Sequence, residues 1–137
     1  MARILCIDYG LKRTGIAVSD PLQIIATGLA TVKTHELFSF LKDYLGREPV
    51  EKILIGYPRN LDDSDTHATR PVKVAMDRLR KDFPQIPVTP VDERYTSKRA
   101  VQAMVEMGMK KKDRQKKEHV DLVAATMMLQ EYMASQS

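Results

Sequence analysis

Three strand-length apolar runs crowd into the amino-terminal quarter of the chain, joined by connections too short to hold a helix. The runs are Arg3 to Asp8, Gly15 to Ser19 and Ala26 to Val32, with Gly10 and Pro21 in connections suited to turns. Strands so closely spaced can only double back, so they are expected to pair as an antiparallel meander.

Beyond them the pattern alternates. His35 to Arg47 puts Leu37, Phe38, Leu41, Tyr44 and Leu45 at helical spacing, and Thr34 is the expected N-cap. Ile53 to Gly56 reads as a buried strand, followed by a polar loop from Pro58 to Thr66. Pro71 to Phe83 reads as a helix, with Pro71 tolerable only in its first turn. Ile86 to Val91 is a further strand, and its Pro87 and Pro90 suit a sheet edge. A helical stripe from Thr96 to Met107, a polar connection from Lys110 to Lys117 and a last helix from Val120 to Met133 complete the order βββαβαβαα. Strands reached through a helix join a sheet in parallel. The expectation is an α/β fold with a mixed five-stranded sheet, three antiparallel strands then two parallel, flanked by helices. At 137 residues it is one domain spanning 1–137.

Charge is unevenly placed along this frame. Nine basic residues between Arg94 and Lys117 face only Glu106 and Asp113, giving that segment a net +7 within a chain of net +4. Such a patch suits a polyanion, because neutralising phosphates releases counterions. The single cysteine, Cys6, excludes a disulfide framework and a cysteine-rich zinc site. No stretch approaches a membrane span and no secretory signal opens the sequence, so the expected location is the cytoplasm.

Acids mark the places where chain leaves sheet. Asp8 ends the first strand and is followed by Tyr9 and Gly10; Asp92 and Glu93 end the last one. In open sheets, ligands gather beyond the carboxyl ends of strands. Asp121 stands among Val120, Leu122, Val123, Ala124 and Ala125, a setting in which an unpaired carboxylate is costly. The expectation is a partner from outside the chain, although favourable interaction with its own helix N-terminus would also serve. Carboxylates gathered at one rim repel by about 4 kcal/mol for a pair 4 Å apart at an effective dielectric of 20. A proton or a cation must intervene, and hard oxygen ligands favour Mg²⁺ or Mn²⁺. Two such ions activate water and stabilise the leaving oxygen of a phosphodiester. His35, His67 and His119 show no metal-ligand spacing.

The run Asp8-Tyr9-Gly10-Leu11-Lys12-Arg13-Thr14-Gly15-Ile16-Ala17-Val18-Ser19-Asp20, then Gly56-Tyr57-Pro58, then Asp92-Glu93-Arg94-Tyr95-Thr96-Ser97, and finally Val120-Asp121 with Ala124-Ala125, resembles the YqgF/RuvX family. These are small bacterial proteins described as pre-16S ribosomal RNA nucleases or Holliday junction resolvases. The resemblance covers essentially the whole chain and implies a ribonuclease H-like fold. It also implies an acidic triad of Asp8, Glu93 and Asp121 that holds Mg²⁺ or Mn²⁺ and promotes attack of water on a phosphate. Lys12, Arg13, Arg94 and Lys117 become phosphate contacts. Asp92 supports the triad from behind, or replaces Glu93 if the strand register differs by one residue. The chain departs from the family at Asp62-Asp63, where an Asp-Gly pair is usual.

The implied partner is structured RNA, or branched DNA in the resolvase reading, handled by a monomer or weak homodimer without a membrane. A phosphotransferase of the actin and sugar-kinase type opens with a similar Asp-x-Gly hairpin, but needs two domains and so more chain. A nucleic-acid-binding module without catalysis is the remaining alternative, and only the intact triad speaks against it.

Overall fold

The computed structural model of the protein describes residues 2–57, 69–92 and 117–136, with Gln102 and Val105 as isolated helical positions. Strands β1 (Arg3–Tyr9), β2 (Arg13–Ser19) and β3 (Ala26–Lys33) come first, then a single 3-10 turn (Thr34–Glu36) leading into α1 (Leu37–Arg47). Strand β4 (Val50–Tyr57), helix α2 (Thr69–Asp82), strand β5 (Val88–Asp92) and helix α3 (Lys117–Gln136) follow. The expected loop from Pro58 to Thr66, most of the Thr96 to Met107 stripe and the Lys110 to Lys116 connection lie outside the described residues.

The five strands form one sheet in the order β3-β2-β1-β4-β5. Strands β1, β2 and β3 are an antiparallel meander, while β4 joins β1 and β5 joins β4 in parallel. The mixed sheet expected from the sequence is therefore present, and β5 with its Pro90 lies at an edge as proline requires. Parallel pairing brings the carboxyl ends of β1, β4 and β5 to the same rim.

Side-chain alternation divides the core in two. Leu5, Ile7, Ile16, Ile53, Ile55 and Val88 meet α1 and α2 through Leu37, Leu41, Val72 and Leu79. On the opposite face Ile4, Cys6, Ala17, Ala26 and Leu54 meet α3 through Ala125, Met128 and Leu129. Cys6 is a buried thiol of that second core. The small side chains Ala17, Ala26, Ala124 and Ala125 let α3 lie close to the sheet. Among the described residues no helix is long and apolar enough to cross a membrane.

Thr34 corrects one expectation. The N-cap of the 3-10 turn is Lys33 and that of α1 is Glu36, neither with a side-chain cap hydrogen bond. Instead the Thr34 hydroxyl donates to the carbonyl of Gly10 at 2.6 Å, and the Thr34 N–H donates to the carbonyl of Lys12 at 2.9 Å. The β1–β2 turn brings an acceptor that holds that hydroxyl toward the hairpin. The two helix boundaries also shift: α2 begins at Thr69, two residues before Pro71, and α3 continues past Met133 to Gln136.

Candidate functional site

Asp8 is the penultimate residue of β1, half-buried, and shares the face of Ile4 and Cys6, toward α3. Its cross-strand partner in β2 is Gly15. On the other side, Ile7 pairs with Ile55, so the next residue of β4, Gly56, flanks Asp8. An acid between two glycines stands in a gap of the side-chain layer, where a ligand can come close.

Helix α3 fills the part of this gap over Gly15. A Cβ placed on Gly15 would collide with the backbone carbonyl of Asp121. Only a residue without a side chain lets α3 cross β2 here, and that crossing sets Asp121 against the strand neighbour of Asp8, one strand spacing of about 4.8 Å away. Two of the three acids singled out in the sequence thus stand on neighbouring stretches of backbone. Asp121 has its side chain 23% exposed and accepts a hydrogen bond from Arg13 Nε at 3.2 Å. Arg13, 108 residues earlier, is thus a partner of Asp121 within the chain. Arg13 sits two residues before Gly15 on the same face of β2, which brings its guanidinium to the acids.

The remaining predicted residues fall differently. Asp92 ends β5 opposite Tyr57, with the parity of Val88 and Pro90. That parity belongs to the α1 and α2 face, whereas Val91 faces α3. Asp92 is consequently on the face of the sheet opposite Asp8. Glu93 and Arg94 lie outside the described residues. Lys12 is exposed at the β1–β2 turn, and Lys117 opens α3.

Asp8 and Asp121 offer only carboxylate oxygens, a donor set that fits a hard divalent cation. No group of three metal-ligating side chains forms among the described residues. Among the described residues, two carboxylates and one guanidinium leave one net negative charge, and a phosphate approaching it needs further positive charge. Gly15 and Gly56 are the functional positions that reading the sequence missed. Their signal is local: each interrupts an otherwise apolar or β-branched strand, a pattern that marks close backbone approach.

Comparison with known proteins agrees with this architecture. Residues 2–135 match the model of the RuvX family, described as Holliday junction resolvase. A protein of Phocaeicola vulgatus named "Putative pre-16S rRNA nuclease" is 52% identical over 135 residues, covering 98% of this chain and 97% of its own. One of the same name from Bacteroides thetaiotaomicron is 51% identical, covering 98% of both. Among solved structures, the Fowlpox virus resolvase in complex with Holliday junction DNA superposes with a TM-score of 0.62 at 14% identity, covering 98% of each chain. Thermus thermophilus RuvC with a Holliday junction substrate gives 0.55 at 14% identity, covering 99% of this chain and 96% of that one. Likeness at such identities is one of fold, in keeping with the ribonuclease H-like arrangement expected from the sequence.

Proposed function

The chain belongs to the RuvX family, and from that premise we propose that it is a divalent-metal-dependent nuclease hydrolysing phosphodiester bonds in structured nucleic acid, with precursor 16S ribosomal RNA its foremost substrate. The observation that carries this reading is that Asp121 lies against Gly15, the strand partner of Asp8, on the face that Asp8 shares with Gly56. Relatives about half identical along their whole length are named for that RNA.

In this reading Asp8, Glu93 and Asp121 hold Mg²⁺, or Mn²⁺ in its place. The cation, when bound, offsets the charge of the scissile phosphate and makes water a better nucleophile. Arg13 pairs with Asp121, and its guanidinium geometry suits a phosphate oxygen equally well. Lys12, Arg94 and Lys117 add the positive charge that a polyanion needs. Asp92 takes no ligand position.

Four-way DNA is a second reading, favoured by the description of the matching family. One assay separates the two. Purified protein is incubated with precursor 16S RNA and with junction DNA, each with Mg²⁺ or with EDTA. Mg²⁺-dependent cleavage of the RNA alone is expected. Cleavage of junction DNA alone would move the assignment to the resolvase reading, and no cleavage of either would refute the nuclease.

A further inference from the structure

A cleft of about 640 Å³ opens between the β1–β2 turn and the 3-10 turn, with Arg13, the partner of Asp121, in its wall. Leu11, Lys12, Arg13, Thr31, Lys33 and His35 line it. We propose that this cleft is a second nucleic-acid subsite, where Lys33 and His35 hold the backbone of the strand leaving the acids and Leu11 lies against a base at a step that unstacks. The inference rests on the nuclease reading and narrows its substrate to nucleic acid with a strand boundary or branch.

Register sets the level. Gly15 pairs with Asp8 on one side and with Thr31 on the other, so the acid and the cleft share one row of the sheet, with α3 crossing that row at Gly15. The next row toward the turn pairs Arg13 with Lys33. Two cations opposite each other on one face repel unless an anion joins them. Asp121 serves Arg13, whereas Lys33 makes no ion pair among the described residues. His35 is exposed near the carboxylate of Glu36, 3.6 Å away, at the rim. With Lys12 added, the cleft carries more positive charge than its acids balance, which suits successive phosphates.

Leu11 is 74% exposed, and a lone exposed leucine is ordinary. Its mounting is not. The turn that carries it is tied to Thr34 by two hydrogen bonds, onto the carbonyls of Gly10 and Lys12, while the Thr34 and Thr14 hydroxyls lie 3.0 Å apart. Gly10 lies so close to the Arg13 carbonyl that a side chain would not fit, which keeps the turn tight. A rigid turn thus projects an apolar side chain directly before two cations. Proteins that kink or part nucleic acid insert aliphatic wedges between base steps in this manner, with cations on the adjoining phosphates.

The test uses the parent, Leu11→Ala and Lys33→Glu, both variants altering exposed residues. Each is mixed in EDTA with an oligonucleotide bearing 2-aminopurine at a duplex to single-strand boundary. Fluorescence reports unstacking and anisotropy reports affinity. The parent is expected to brighten the probe; Leu11→Ala binds with little change in affinity but leaves it dark; Lys33→Glu binds about tenfold more weakly at low salt. Equal brightening by Leu11→Ala, or parent-like binding by Lys33→Glu, overturns the subsite while Mg²⁺-dependent cleavage by the parent keeps the nuclease reading. A parent that neither binds nor cleaves removes both.

Discussion

The backbone carbonyl of Asp121 fills the space above Gly15 that any side chain there would need. This contact joins the last helix to the second strand at the level of Asp8 and makes one glycine responsible for the spacing between two acids far apart in sequence. Gly15→Ala must push α3 away or bend β2. Overpacking of this kind costs about 1–3 kcal/mol, so a lowered melting temperature is expected together with loss of cleavage. Gly46→Ala is the control. Nothing lies within 4 Å of a Cβ there, and alanine in place of a helical glycine should stabilise α1 by about 0.5 kcal/mol with activity unchanged. Thermal melts and a cleavage assay on both variants decide it; equal behaviour of the two would show that the Gly15 contact sets nothing.

Asp8→Asn keeps the shape of the side chain in its gap and removes one negative charge. Cleavage with Mg²⁺ is expected to fall by at least about two orders of magnitude, while the melting temperature and nucleic-acid affinity stay near the parent's. Binding should still weaken steeply with salt, because no cation of the protein has been touched. A variant that cuts as fast as the parent would take Asp8 out of the site.

Much of this arrangement is legible in the sequence, and the reasons for the rest are physical. Strands β1 to β4 are short apolar or β-branched runs between turn residues, a local signal. Asp8 and Asp121 stand out because each interrupts an apolar context, again locally. The fate of Thr34 is not local: its hydroxyl is held by the Gly10 carbonyl, 24 residues earlier, which only the folded meander brings near. Asp92 and Glu93 could not be separated by reading alone, since one residue of register exchanges the faces of the sheet. The pairing of Val91 with Gly56, and of Asp92 with Tyr57, turns Asp92 to the far side. Gly15 matters only once α3 is known to cross it.

Arg13→Ala removes a hydrogen-bonding cation from half-buried Asp121. A pair with side chains 30% and 23% exposed lies between surface and core, and its loss should cost about 1–2 kcal/mol in denaturant unfolding. Mg²⁺ binding is expected to move the other way. The guanidinium competes for the carboxylate, so the variant should bind Mg²⁺ more tightly by calorimetry while cleaving more slowly. Unchanged Mg²⁺ affinity would mean that Asp121 is not shared between the two cations.

Asp20 gives a prediction in pH, independent of the acids at the site. The N–H of Ile25 donates to its carboxylate at 2.8 Å, with those of Ile24 at 2.7 Å and Leu22 at 3.2 Å, closing the β2–β3 hairpin tip. These bonds, that from Ile25 foremost, hold the Asp20 carboxyl below its ordinary value of 3.8. A carboxyl whose folded pKa is depressed stabilises the fold fully above its unfolded pKa of about 3.9, and that contribution fades as pH falls through the lowered folded value. The stability gap between the parent and Asp20→Ala should therefore be level from about pH 5 to 8 and close below about pH 4. Over the same range, amide hydrogen exchange at Ile24 and Ile25 should quicken in the parent relative to the exchange expected for an unprotected chain. In the alanine variant it should be fast throughout. A gap that stays constant down to about pH 2 would show that the ionised carboxylate contributes nothing to the tip and that the aspartate acts there by shape alone.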